Sequence, residues 1–210
     1  MRIDKAAWPL VGPAVAAAGL AGVAGGPLVA APLLVLAAAL LLFFRDPERR
    51  APDDPRAVVS PADGRVLVAG PARPEVSPPG SWLQVSIFLS PLDVHVNRVP
   101  ASGRVTRVDF RRGRFLPAYH PDAAVENERS EVWLDRAGQS IVFRQVVGVL
   151  ARRVVCRLET GRDVVAGERF GVMKFGSRMD VFLPPTAALC VSVGDRVVAG
   201  VTVVGRLEAG

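Results

Sequence analysis

Residues 168–185 read "ERFGVMKFGSRMDVFLPP", with Gly176 and Ser177 standing between two apolar stretches. On each side apolar and polar residues alternate, which is typical of a strand with one buried face. A glycine inside such a pattern marks a bulge or bend, because it has no side chain to pack. The segment therefore predicts two strands that meet at Gly176-Ser177, and it leaves the role of Ser177 open.

The same β pattern continues through the chain beyond residue 50. Its segments are rich in valine and are separated by turn dipeptides such as Asp63-Gly64 and Gly194-Asp195. Helical periodicity is scarce there, and one short helix is expected near residues 148–154. We therefore predict a mainly β (α+β) fold whose β-rich, sandwich- or barrel-like domain covers residues 47–210.

The N-terminal segment has a different composition. No charged residue lies between Ala6 and Phe44, and Gly25-Gly26-Pro27 divides this run into two apolar halves. Each half approaches the roughly 20 residues that a membrane-spanning helix needs. Basic residues flank both outer ends, which places both ends in the cytoplasm. Residues 1–46 are thus predicted to form a membrane-anchoring helical hairpin, with the β-rich domain on the cytoplasmic side of the cell membrane.

Two alternatives for this segment were weighed. A cleaved signal peptide before a secreted domain fits poorly, because a second apolar segment stands where the mature protein would begin. A hairpin that enters the membrane only part-way stays open.

The charge of the chain points to phosphate-bearing partners. The formal net charge is +6, and Lys5 and Lys174 are the only lysines, so arginine supplies the excess. Arginine suits phosphate, in nucleic acid or in anionic lipid. The apolar N-terminus favours lipid, and no nucleic-acid partner is predicted. Cys156 and Cys190 lie in apolar runs without further ligands nearby, so we expect buried, reduced thiols and no metal site.

Ser177 has three chemical interpretations besides that of an ordinary bend residue. It could be a hydrolase nucleophile activated by Lys174 or His95, although no Gly-x-Ser-x-Gly elbow is present. Alternatively, "GVMKFG" with "VGDRVVAG" is similar to biotinyl and lipoyl carrier domains, in which Lys174 would carry the cofactor. In the third interpretation the Ser177 hydroxyl attacks the Gly176 carbonyl, and elimination from the ester leaves a pyruvoyl group, an electrophilic ketone.

The third interpretation agrees with a resemblance that covers nearly the whole chain. "FGSRMDVFLP" strongly resembles the cleavage motif of the short, membrane-associated phosphatidylserine decarboxylase proenzymes. The motifs "FFRDPER", "SPADGRV", "SIFLSPLDVHVNRVP", "ENER", "ARRVVC" and "GERFGVMKFGSR" follow one another in the order of that family.

The resemblance implies self-cleavage between Gly176 and Ser177, which gives a β chain (1–176) and an α chain (177–210) that stay together. Ser177 would become the covalent pyruvoyl cofactor, and the matching Asp63 and His95 would assist it in a triad-like arrangement. The implied enzyme is a lyase that forms a Schiff base with phosphatidylserine and releases CO2 and phosphatidylethanolamine. Longer family members have a second histidine where this chain has Arg98. Either His95 serves both self-cleavage and proton transfer, which is the role we expect, or another group shares the work.

The partners implied are the substrate lipid, membrane lipids and the chain's own two fragments, and a homo-oligomer stays open. The alternative function is a membrane-tethered carrier domain of the biotinyl or lipoyl kind, modified on Lys174.

Overall fold

The computed structural model describes residues 2–149, 154–174 and 176–208. Within it the chain forms two compact units, Met1–Glu48 and Arg49–Gly210. The short helix expected near residues 148–154 falls largely on residues 150–153, which lie outside the described residues.

The first unit is a hairpin of two apolar helices. Helix α1 covers Trp8–Gly25 and helix α2 covers Pro27–Phe43, and the short strands β1 (Arg2–Ile3) and β2 (Arg45–Asp46) pair at the open end. Gly26 joins the helices at a φ of 81°, a left-handed value that glycine adopts at little cost. Pro27 then opens α2, where its missing N–H leaves no helical bond unmade. This confirms the predicted helical hairpin.

The hairpin exposes apolar side chains on most of its surface, among them Leu20, Val23 and Leu28. Of the described helices, the stretch Lys5–Gly25 is long and apolar enough to cross a membrane, whereas Pro27–Phe43 is shorter. At a rise of about 1.5 Å per residue, helices of 17 or 18 residues approach the thickness of the hydrocarbon layer.

The second unit is built almost entirely from strands, as predicted. The bounds are β3 Ala57–Val59, β4 Gly64–Pro71, β5 Leu83–Leu89, β6 Val96–Arg98, β7 Gly103–Arg111, β8 Arg129–Arg136, β9 Gln139–Val146, β10 Val154–Cys156, β11 Asp163–Val164, β12 Arg169–Met173, β13 Ser177–Leu183, β14 Ala188–Leu189, β15 Arg196–Val197 and β16 Val203–Arg206. One short helix, α3, covers Ala123–Glu126.

These strands form three antiparallel sheets. A curled eight-stranded sheet has the order β11-β7-β8-β9-β13-β5-β4-β15, and two three-stranded sheets have the orders β10-β12-β6 and β14-β16-β3. All three contribute to one core, since Phe143 on β9 meets Phe170 on β12 edge to face and Val204 on β16 joins the same cluster. The architecture confirms a mainly β, barrel-like domain.

The eight-stranded sheet has two chemically different faces. Its inner face carries the core residues Val132, Phe143 and Val181. Its outer face, defined by Arg107, Glu131, Trp133, Arg144 and Phe182, is covered in part by residues 72–82 and by α3. The alternation of strand side chains sends neighbouring residues to opposite faces, so the outer face carries the charges.

The two cysteines differ from the expectation. Both are free thiols, and Cys156 on β10 is half-buried, but Cys190 is exposed. The expectation of burial is wrong for Cys190 because β14 ends at Leu189, so the apolar run "AALCVSV" leaves the sheet before it reaches the cysteine.

Candidate active site

Gly176 and Ser177 lie where the chain passes from one sheet to another. Strand β12 pairs with β10 and β6 in a three-stranded sheet, whereas β13 begins at Ser177 and pairs with β5 and β9 near the middle of the eight-stranded sheet. Because β12 and β13 belong to different sheets, they do not form a hairpin. The glycine and serine in the opening stretch therefore mark a sheet-to-sheet crossing.

The Ser177 hydroxyl is a buried polar group that makes no hydrogen bond to a described residue. The residue has 0% exposure, and its Oγ has no hydrogen-bond partner among the described residues. A buried hydroxyl without a partner is unfavourable by about 1–3 kcal/mol, so such a group calls for a functional explanation.

Gly176 is required by backbone conformation. Its φ is +68°, and no heavy atom lies within 4 Å of the position that a Cβ would take. A larger residue would have room but would be strained by the left-handed conformation, by about 1–2 kcal/mol. The peptide bond that precedes Ser177 is thus held in a geometry that glycine alone adopts easily.

Gly148 lies directly against the Gly176 carbonyl, and sequence reasoning did not identify it. A Cβ on Gly148 would be 2.0 Å from the Gly176 carbonyl oxygen, so no side chain fits there. The residue follows β9, and a glycine just after a Val-rich strand is a weak signal by itself. Only the folded structure brings these two glycines together.

Asn127 positions the segment that contains Gly148. Its buried side chain donates from Nδ2 to the carbonyl oxygens of Val147 and Leu116, at 2.8 Å each, and accepts from the Leu116 N–H at 2.9 Å. The carbonyl of Val147 belongs to the residue before Gly148, so Asn127 fixes the backbone that touches Gly176. This gives the asparagine of the "ENER" motif a structural task.

His95 is buried next to the strand that leads to the crossing. Its backbone carbonyl accepts from the N–H of Met173, the last residue of β12, at 3.2 Å. Its Nδ1 lies 2.9 Å from the carbonyl oxygen of Asp93. A carbonyl can only accept a hydrogen bond, so Nδ1 carries the proton and Nε2 is the basic nitrogen.

Asp63 is held by Arg49. The two guanidinium nitrogens NH1 and NH2 of Arg49 donate to Oδ1 and Oδ2 at 2.5 and 2.7 Å, and the Ala199 N–H donates to Oδ1 at 2.8 Å. Among the described hydrogen bonds of Asp63, none goes to His95. The ring of His95 is oriented by the Asp93 carbonyl, and Arg49 is a partner that the sequence did not reveal.

The structure also describes Arg98 and Lys174, two further residues to which the sequence drew attention. Arg98 is buried on β6 and donates from NH1 to the Gly167 carbonyl oxygen at 3.0 Å. Because a guanidinium stays protonated, Arg98 cannot act as a base in place of a second histidine. Lys174 follows β12 and is half-buried. It does not sit at a hairpin tip, because β12 and β13 do not pair.

The arrangement as a whole fits a chain that reacts with itself. A buried, unpartnered hydroxyl follows a glycine held in a left-handed conformation, and the glycine's carbonyl oxygen is packed against a second glycine. Among the described residues no three metal-ligating side chains cluster.

Comparison with known proteins shows that the chain matches one family over most of its length. The model of the phosphatidylserine decarboxylase family matches residues 36–205. The phosphatidylserine decarboxylase proenzyme of Pelodictyon phaeoclathratiforme is 47% identical over 166 residues, which are 79% of this chain and 78% of the relative. That of Chlorobium chlorochromatii is 48% identical over 167 residues, 79% of this chain and 78% of the relative.

A third relative matches a larger share of the chain. The phosphatidylserine decarboxylase proenzyme of Solibacter usitatus is 42% identical over 191 residues, which cover 91% of this chain and 90% of the relative. The match of the family model and the identity to these relatives over most of both chains show that this chain belongs to the phosphatidylserine decarboxylase family.

Proposed function

We propose that this chain carries out the reaction of its family, the conversion of phosphatidylserine to phosphatidylethanolamine and CO2 in phospholipid synthesis, with a pyruvoyl group made from its own Ser177. The single observation that supports the use of Ser177 best is its buried hydroxyl without a hydrogen-bond partner, directly after the left-handed Gly176.

Self-cleavage begins when the Ser177 Oγ attacks the Gly176 carbonyl carbon and the peptide C–N bond breaks. This leaves an ester and a free amine on Ser177. Loss of the Cα proton then expels the Gly176 carboxylate and leaves dehydroalanine, whose imine form is hydrolysed to the ketone. One water is consumed and one ammonia is released, so the atoms balance.

The close approach of Gly148 supports a defined position for the carbonyl that is attacked. A carbonyl packed against a glycine backbone has little freedom to turn, and such positioning can lower a barrier substantially. We propose Asn127 and Gly148 as positioning residues for self-cleavage.

His95 is proposed as the base that takes the Ser177 proton. With Nδ1 donating to the Asp93 carbonyl oxygen, the neutral form of the ring has its lone pair on Nε2, which is the atom that can take the proton. Since Arg98 cannot serve as a base, His95 is also proposed to return a proton to the substrate carbon after CO2 leaves.

Asp63 is proposed as the carboxylate that assists His95, on the strength of the family resemblance. Both of its carboxylate oxygens accept hydrogen bonds from Arg49, and a carboxylate favours the charged form of an imidazole in its neighbourhood. Arg49 is then a positioning residue for Asp63.

The pyruvoyl group fits the residues present, because its precursor hydroxyl is buried and forms no hydrogen bond with any residue that the structure describes. Once formed, it supplies an electrophilic ketone that binds the substrate amine and accepts the electron pair released with CO2. The protein contributes a water-poor site around Ser177 and a proton at His95.

Membrane attachment through α1 and α2 is part of the proposal. An exposed, continuous apolar surface on two helices suits a lipid environment, and a lipid substrate makes such an anchor useful. We propose that the β-rich unit works on the cytoplasmic side, because basic residues flank both ends of the hairpin.

Intact-mass analysis of the purified protein tests the proposal. The expected result is two fragments divided between Gly176 and Ser177, the second with a blocked N-terminus, and release of CO2 from phosphatidylserine. Ser177→Ala should stay a single inactive chain, while the control Ser192→Ala, at an exposed serine, should be processed normally. Two-chain processing of Ser177→Ala would overturn the mechanism, and an intact chain with added mass on Lys174 would indicate the carrier function instead.

A further inference from the structure

A cavity of about 480 Å³ lies on the outer face of the eight-stranded sheet. Residues 75–79 and α3 border it, and Trp133 and Val125 give it apolar walls. Ser177 shares the inward-facing side of β13 with Met179 and Val181, so the cavity and the Ser177 hydroxyl lie on opposite sides of the sheet. The cavity is therefore separate from the proposed self-cleavage site.

More positively than negatively charged side chains line the cavity. The charged residues that line it are Arg107, Arg111, Arg129, Arg144, Glu75 and Glu131. Glu131 is shared by two of the arginines, since it accepts from Arg144 Nε at 2.5 Å and from Arg107 NH2 at 3.2 Å. None of the ion pairs between described residues involves Arg111 or Arg129.

Arg111 and Arg129 are neighbours on adjacent strands of the sheet. They are directly opposite partners of the antiparallel strands β7 and β8. Like charges at such positions destabilise a sheet. Since neither arginine forms an ion pair with a described carboxylate, the two charges repel each other, and a bound anion would relieve that repulsion.

Arg129 is buried and forms no ion pair with a described residue. The residue is 8% exposed, and its NH1 donates to the carbonyl oxygens of Val125 and Asn127, but its Nε has no partner among the described residues. Burial lowers the pKa of Arg129, and the charges of Arg144 and Arg111 lower it further. A buried guanidinium N–H that makes no hydrogen bond is unfavourable, and a ligand oxygen that accepts from it would remove that cost.

We propose that this cavity binds a phosphate group between Arg111 and Arg129, with the Arg129 Nε as a donor. The planar fork of arginine matches phosphate oxygens, and two guanidinium groups without an ion-pair partner among the described residues favour an anion with several acceptors. The apolar walls suit a phosphate that carries an organic body. The ligand is the head group of an anionic phospholipid or a soluble phosphate ester, and the same chemistry recognises both.

Titration of the full-length protein in a neutral detergent tests the site. The two probes are inorganic phosphate and phosphatidylglycerol added to the micelles, each against sodium chloride at matched ionic strength. The readout is tryptophan fluorescence, since Trp133 lines the cavity and Trp82 packs against it edge to face. Processing into two chains is followed on the same samples, so failure of self-cleavage and failure of phosphate binding are seen separately.

Arg111→Gln is the main variant, because Arg111 is exposed and can be replaced without disturbing the core. We expect it to weaken the apparent affinity about tenfold or more, the effect of one charge-assisted hydrogen bond. Arg112→Gln removes the same charge from the next residue, which does not line the cavity, and should bind within about twofold of the parent. Arg129→Lys keeps the charge but removes the Nε donor, and it should also bind more weakly.

Each result has a defined meaning. Saturable binding of the lipid alone identifies a head group, and binding of inorganic phosphate identifies a site that soluble phosphates can fill. Absence of a saturable response to both probes overturns the proposal. Equal losses in Arg111→Gln and Arg112→Gln also overturn it, because the response would then reflect net charge alone.

Discussion

At the scale of single residues, Gly176 tests whether backbone conformation prepares the bond for cleavage. Gly176→Ala has room for its methyl group but must adopt a φ of +68°, so we expect slower self-cleavage by about tenfold, from about 1–2 kcal/mol of strain. Gly138→Ala is the matched control, because Gly138 also has a positive φ and open space around it, in the turn between β8 and β9. The rate at which two chains appear measures the effect, and equal rates in both variants would contradict it.

The two cysteines give a second residue-scale prediction. Burial raises the pKa of the Cys156 thiol, despite hydrogen bonds that act in the opposite direction, whereas Cys190 is exposed. Since the thiolate is the reactive form, iodoacetamide should label Cys190 about tenfold faster than Cys156 near pH 8. Peptide mass mapping over time reads both sites, and the difference should vanish in denaturant. Faster labelling of Cys156 would show that β10 is more open than described.

At the scale of elements, the segment after β9 is expected to control self-cleavage. Gly148→Ala should place a methyl group against the Gly176 carbonyl oxygen and move the bond that Ser177 attacks, so the folded protein should be cut at least tenfold more slowly. Gly103→Ala is the control, because its Cβ would also lie too close to a backbone carbonyl oxygen, at 2.4 Å from that of Asp135, but it would not contact Gly176. Both variants should lose stability, and only Gly148→Ala should lose processing in its folded fraction, as measured by gel and thermal unfolding together.

Elements also show how far the sequence could predict the structure. The alternation in "SRMDVFL" was sufficient for β13, and Gly26-Pro27 for the turn of the helical hairpin, because both patterns are local. The passage from β12 to β13 between two sheets was not predictable, since strand pairing depends on residues far apart in the chain. For the same reason, the sequence could not predict the pairing of Asp63 with Arg49 or the contact of Gly148 with Gly176. For Ser177, local chemistry allowed several roles, and the family motifs selected one.

At the scale of the whole molecule, Glu131 is expected to link stability to acid pH. Burial raises the pKa of Glu131, but the charge of Arg144 and hydrogen bonds from Trp133, Arg144 and Arg107 outweigh it, so the pKa is lowered. A carboxyl whose folded pKa is lowered stabilises the fold above its ordinary pKa, and that stability is lost as the pH falls through the folded value.

Urea unfolding between neutral pH and pH 3 measures this link, in the uncleaved Ser177→Ala background so that one chain unfolds. Glu131→Gln should be less stable at neutral pH by about 3–5 kcal/mol, because the buried Arg144 loses its charge partner and the half-exposed Arg107 loses one of its own. Its stability should also depend less on pH in the acid range than that of the parent. Parallel curves for the two proteins would assign the acid sensitivity to other carboxyl groups.

The position of β13 gives the proposed self-cleavage a further effect on the whole molecule. Strand β13 lies between β5 and β9, and β16 pairs with β3, so residues after the cut remain bonded on several sides to residues before it. Scission of the Gly176-Ser177 bond should therefore leave the β-rich unit assembled. Dilution of the processed protein from urea should give slow, concentration-dependent recovery, while the uncleaved Ser177→Ala chain should refold at a rate independent of concentration.

This concentration dependence follows from the molecularity of folding. Before the cut, β13 finds its place between β5 and β9 as part of one polymer, in a first-order process. After the cut, the same insertion is a second-order encounter between two fragments, at cellular concentrations far below the effective concentration that the intact chain supplies. If the chain is cut as proposed, the two-chain enzyme should retain a structure that its separated pieces rebuild poorly, and its lifetime should depend on how rarely β13 leaves the sheet.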